Sequence, residues 1–107
     1  MRLEQTSWME VRDKIKDPQG IIMATGSTEQ HGPIGLIGTD TICSETIASS
    51  VAKKSNMSLA PSIGFTPAEF NMKFPGTISI SAQTFKSLLK EVTSSLLKHG
   101  FKYVLIV

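Results

Sequence analysis

Two short apolar runs, residues 21–24 (IIMA) and 103–107 (YVLIV), constrain the fold more than any other feature of the chain. Neither alternates with polar residues, so each reads as a strand buried on both faces, the situation of strands in a parallel sheet covered by helices. The segments between them carry helical periodicity. Ser7 followed by Glu10 has the form of a capping box, which predicts a first helix over about residues 7–16 with Trp8, Val11 and Ile15 on one face. Asp17, Pro18 and Gly20 then break it. Ile42, Thr46, Ile47, Ser50 and Val51 recur at helical spacing, with Thr39 or Asp40 as cap. Residues 57–63 predict a second strand, interrupted by Pro61. Residues 77–81 (TISIS) alternate strictly and predict a short strand with one buried face. Phe85, Leu88, Leu89, Val92, Leu96 and Leu97 form the clearest helical face, capped by Thr84 and closed by Gly100. YVLIV then reads as a central parallel strand. Helices alternating with apolar strands predict an α/β layered sandwich with a mostly parallel central sheet.

Size and charge narrow the function. With 107 residues, 40% of them hydrophobic, the chain can bury one core, so residues 1–107 are expected to form a single domain. Eleven Lys and Arg against nine Asp and Glu, scattered along the chain, form no basic stripe and argue against a nucleic-acid partner. The lone Cys43 cannot form an internal disulfide, and no apolar run approaches the roughly 18 residues of a membrane span. The opening MRLEQTSWMEV carries both signs of charge and does not read as a signal peptide. A reduced, cytoplasmic setting is expected, without membrane association.

Chemistry is expected in the Gly-rich stretch 25–38, because ligands in open α/β sheets bind beyond the carboxyl ends of the strands. Glu29 and His31 lie two apart, so in extended backbone their side chains point the same way. Asp40 can return to the same pocket if the loop folds back. Carboxylate and imidazole donors together suit a divalent ion, Zn²⁺ or Mn²⁺, which lowers the pKa of water so that hydroxide can attack an amide. The bland alternative is a polar loop in which His31 bonds to nearby backbone and Asp40 merely caps a helix.

Other readings are weaker. The loop lacks both the Walker lysine and the GxGxxG fingerprint of nucleotide sites. Ser27 has no nucleophile elbow around it and reads as a hydrogen-bonding loop residue. Cys43 falls on the apolar side of the second helix as an inert buried thiol, and His99 answers a helix dipole. Among Trp8, Phe65, Phe70 and Phe74, which could face a flat ring, Phe70 and Phe74 flank an irregular segment and are the better substrate-binding candidates.

The string GSTEQHGPIGLIGTDT, residues 26–41, resembles the signature of the creatininase (creatinine amidohydrolase) family, and FPGTISI, residues 74–80, resembles that family's FPGT segment. The helix before KHGF and the strand YVLIV recur in the same order, so the resemblance runs from about Trp8 to Val107. It implies a dinuclear metal centre that hydrolyses a cyclic amide or related C–N bond of a small molecule, often within a homo-oligomer. Carried onto this sequence, it implies that Glu29 binds one ion, His31 the other, and that Asp40 bridges them. It also implies that a further His and Glu come from an NGHGGN-like segment after the strand matching YVLIV. That segment is not among these 107 residues. The expectation is therefore an amino-terminal part of the enzyme, with activity weak or lost. Two departures from the family pattern bear on substrate: Ile34 stands where many members carry a second histidine, and Phe70, Asn71 and Met72 stand where many carry a histidine before FPGT. A noncatalytic remnant serving as a binding or self-assembly module is the alternative, since YVLIV would expose an apolar edge.

Overall fold

The computed structural model describes residues 1–17 and 19–107, so the break expected at Pro18 lies outside the described residues. Three parallel strands, β1 (Ile21–Met23), β2 (Ser58–Leu59) and β3 (Val104–Ile106), form a sheet in the order β2-β1-β3. β1 pairs with both neighbours, Ile22 lying opposite Leu59 on one side and Leu105 on the other. Three helices, α1 (Trp8–Lys14), α2 (Thr39–Ser55) and α3 (Ala82–Lys98), cover the sheet. The result is the open, parallel α/β layering that the alternation of elements predicts.

β1 divides the core in two. Successive strand residues point to opposite faces, so Ile22 and Ala24 pack with Ala48, Ala52, Met57 and Leu59 beneath α2. Ile21 and Met23 pack on the other side with Ala60 and Phe101, against Val11 and Ile15 of the α1 region and Leu89, Val92 and Leu96 of α3. All three β1 residues are fully buried, as the unbroken apolar run requires.

The capping box forms as expected. Ser7 Oγ accepts the Glu10 N–H, and the Glu10 carboxylate accepts the Ser7 N–H at 2.7 Å. Trp8 departs from the expected face: it stays 71% exposed, with the Arg12 guanidinium 5.4 Å from its ring centre.

Other expectations need correction. The apolar face expected for α2 points outward: Ile42, Ile47 and Val51 are exposed and the buried residues are Ala48 and Ala52. Methyl side chains let the helix sit close to the sheet, and the larger residues are left outside. Cys43 is likewise exposed rather than buried. Neither Thr39 nor Asp40 caps α2; Gly38 holds that position, and Thr39 Oγ1 donates to the Leu36 carbonyl. Likewise Ser81, not Thr84, caps α3, accepting the Thr84 N–H at 3.0 Å.

Residues 77–81 do not join the sheet. Their strand-like pairing is a single antiparallel bridge, Thr28 to Ile78. YVLIV, expected at the centre, supplies β3 at the sheet edge, where Leu105 and Ile106 remain 43% and 44% exposed. β1 takes the centre because both other strands pair with it. Around Pro61 the second strand is interrupted, as its missing N–H requires, but Ala60 and Ile63 still donate to Ile22 and Ala24 on either side of it.

Candidate metal centre

The loop leaving β1 is held by its own backbone. Thr25 N–H donates to the Val107 carbonyl, Gly26 N–H to Ile63, and Glu29 N–H to Ile37, at 2.7, 2.9 and 2.8 Å. These bonds turn the Gly-rich stretch into a fixed turn over the carboxyl ends of the strands. Its glycines have reasons. A Cβ on Gly26 would stand 2.4 Å from Thr41 N, so only glycine lets this loop lie against the start of α2. A Cβ on Gly35 would stand 2.0 Å from the His31 carbonyl oxygen.

That approach brings the three expected donors together. Glu29, His31 and Asp40 each offer one ligand atom, and these atoms lie within 4.8 Å of one another. His31 Nε2 lies 3.4 Å from Asp40 Oδ1, the separation of two atoms each about 2.1 Å from a shared tetrahedral ion. The donor set, two carboxylates and an imidazole, fits a divalent cation such as Zn²⁺ or Mn²⁺. The His31 and Asp40 side chains are 29% and 41% exposed, so an ion and water can reach them.

Each donor has an outer partner. His31 Nδ1 donates to the Glu29 carbonyl at 3.0 Å, and because a carbonyl only accepts, Nε2 is the nitrogen left to face Asp40. Ser27 Oγ donates to Asp40 Oδ2, and Asn71 Nδ2 donates to Glu29 Oε2 at 2.7 Å. The same contacts shift the titrating groups. The Ser27 hydroxyl, and then His31, hold the Asp40 carboxyl below the usual carboxylate range. The Glu29 carbonyl, and then Asp40, push the His31 imidazole up.

The FPGT segment braces this arrangement. Thr77 Oγ1 accepts the Gln30 N–H at 3.2 Å, and Ile78 N–H donates to the Thr28 carbonyl at 2.9 Å. The two separated motifs therefore meet around the donors. Beside them, Gln30, Gly32, Pro33, Ile37, Phe74 and Pro75 line a mostly apolar cleft of about 330 Å³. Of the two expected substrate-binding aromatics, Phe74 lines this cleft and Phe70 does not, being 82% exposed. Ile34 is 98% exposed. Ser27 serves as the hydrogen-bonding loop residue expected of it. The contacts of Asn71 and Thr77 were not foreseen in the sequence; the available signals were that Thr77 belongs to the FPGT segment and that Asn71 stands among the residues before it where many family members carry a histidine.

Comparison with known proteins gives this geometry a context. The family model described as creatinine amidohydrolase (creatininase) matches residues 4–107. A 3-dehydro-scyllo-inosose hydrolase of Thermotoga maritima is 32% identical over 95 residues, covering 87% of this chain and 30% of that protein. A mycofactocin precursor peptide peptidase of Mycobacterium ulcerans is 35% identical over 80 residues, covering 66% of this chain and 32% of the relative. The chain thus spans about a third of the length of these relatives. In fold, a manganese form of creatininase superposes with a TM-score of 0.89 at 19% identity, covering 98% of this chain and 43% of that one. A zinc–zinc form does so with a TM-score of 0.88.

Proposed function

The chain belongs to the creatininase family, and from that premise we propose that it contributes Glu29, His31 and Asp40 to a divalent-metal centre that hydrolyses a cyclic amide or related C–N bond. The observation that carries this reading is the convergence of three ligand atoms within 4.8 Å, at a site whose solved structural relatives include manganese and zinc forms. When bound, such an ion supplies a water of lowered pKa and polarises the scissile carbonyl. The chain's own residues do the rest. Glu29, His31 and Asp40 would hold the ion between them, two carboxylates and an imidazole converging on one point. Ser27 fixes one Asp40 oxygen, and the Glu29 carbonyl fixes the imidazole tautomer. Phe74, Pro33 and Ile37 offer the apolar part of a small amide a dry wall beside the donors. The relatives' names span an inosose and a precursor peptide, so the substrate class here is set by the cleft and not by the family.

The test is hydrolysis of a panel of cyclic amides with added Mn²⁺ or Zn²⁺. Activity that chelation or His31→Ala abolishes supports the proposal; turnover indifferent to both contradicts it. A reduced, cytoplasmic setting suits the single exposed thiol, Cys43.

A second reading, a noncatalytic self-assembly module, is favoured by one observation: β3 stands at the sheet edge with Leu105 and Ile106 exposed. Unpaired strand edges and contiguous apolar surface are what a second copy would cover.

A further inference from the structure

Asn71 is 6% exposed, in a short 3-10 turn (Glu69–Asn71) that lies 42 residues from Glu29 in sequence. A buried amide is costly unless its polar atoms are paired, and here both ends are. Its orientation follows from its neighbours. Gln30 Oε1 accepts the Gly32 N–H at 2.9 Å, so Gln30 Nε2 faces Asn71 and donates to Oδ1 at 3.0 Å. Asn71 Nδ2 is thereby turned to Glu29 Oε2, 2.7 Å away. The chain of bonds starts at the backbone of the loop carrying His31 and ends on the Glu29 carboxylate. The turn itself is anchored: Ala68 N–H donates to Ser79 Oγ at 2.9 Å, and Phe74 N–H to the Asn71 carbonyl at 3.1 Å.

We propose that Asn71 is the positioning residue for Glu29, fixing one carboxylate oxygen so that the other is presented to a cation shared with His31 and Asp40. This rests on the metal-centre reading above. A neutral donor suits the task, because it orients the carboxylate without adding a positive charge that would compete with the ion. Relaying the bond through Gln30 also ties Glu29 to the Gly32 backbone beside His31, so the two ligands are held in one frame.

The experiment uses the full chain and Co²⁺ alone as probe, titrated into wild type, Asn71→Leu and Asn71→Ala, with the visible absorption band and the affinity both recorded. Leu keeps the branched outline of Asn without its donor; Ala serves if the bulkier Leu prevents folding, which unfolding curves without metal reveal. Removing an outer partner of a metal ligand costs 10- to 100-fold in affinity. That loss is expected for both variants, with a changed band that a general loss of stability would not produce. Wild-type affinity and an unchanged band in a folded variant overturn the role of Asn71 while leaving the metal centre standing. A wild-type chain that takes up no Co²⁺ overturns the metal reading, and this role with it.

Discussion

Gly26 is where the geometry of the site is decided by the absence of a side chain. Its closest neighbours would be the backbone of Thr41, at 2.4 and 2.5 Å from an added Cβ, and Asp40 is the residue before. Gly26→Ala is expected to push the loop off α2, costing about 1–3 kcal/mol as an overpacked contact and separating Asp40 from His31. Urea unfolding together with a Zn²⁺ titration measures both; unchanged stability and affinity would show that the contact relaxes freely. At this scale the convergence of Glu29, His31 and Asp40 was legible in the sequence, because Glu29 and His31 lie two apart in one short segment. Their outer partners were not. Asn71 reaches Glu29 across 42 residues, and nothing local in the sequence encodes such a contact.

Among the elements, the strand before the site, the capping box of α1 and the long α3 follow from local pattern, since each depends on residues within a turn or two of one another. α2 turns another side to the sheet for a physical reason: Ile42, Ile47 and Val51 are spread around the helix and share no narrow face, whereas Ala48 and Ala52, one turn apart, form a small-residue stripe that allows close approach. Alternation in residues 77–81 likewise suggests a strand, whereas Thr77 and Ile78 are used to brace the ligand loop. α2 is also tied to the amino-terminal segment. Glu45 accepts from the Arg2 guanidinium and from Ser62 Oγ, and Leu59 N–H donates to the Met1 carbonyl. Arg2, and then Ser62, hold the Glu45 carboxyl below its ordinary value of 4.5. A carboxyl lowered by folding adds stability that is present above its unfolded pKa and is lost as pH falls through the folded value. Both side chains are about a third exposed, so the pair is worth at most about 1 kcal/mol. Glu45→Gln should therefore lower stability slightly at pH 7 and converge with wild type under acid conditions. A constant difference across the acid range would assign the effect to something other than this ionisation.

At the scale of the whole molecule, two motifs 33 residues apart at their nearest ends, Thr41 and Phe74, fold onto one another at the carboxyl ends of a parallel sheet. The layered fold was legible because apolar runs and helical faces alternate. The order of strands was not, because YVLIV is apolar enough for a centre yet pairs on one side with β1 and lies at the edge. No helix among the described residues is long and apolar enough to cross a membrane. Tyr103, Leu105 and Ile106 at β3 are half-exposed, and on the self-assembly reading this predicts concentration-dependent self-association. Sedimentation velocity over a hundredfold range in concentration checks it, and a monomer throughout would remove the assembly reading.

Glu29, His31 and Asp40 are expected to bind one cation together. Anomalous diffraction at the zinc edge from Zn²⁺-soaked crystals tests it most directly. A peak is expected about 2 Å from His31 Nε2 and from an oxygen of each carboxylate. Zinc found only elsewhere on the surface, with these three side chains unliganded at saturating metal, would contradict it.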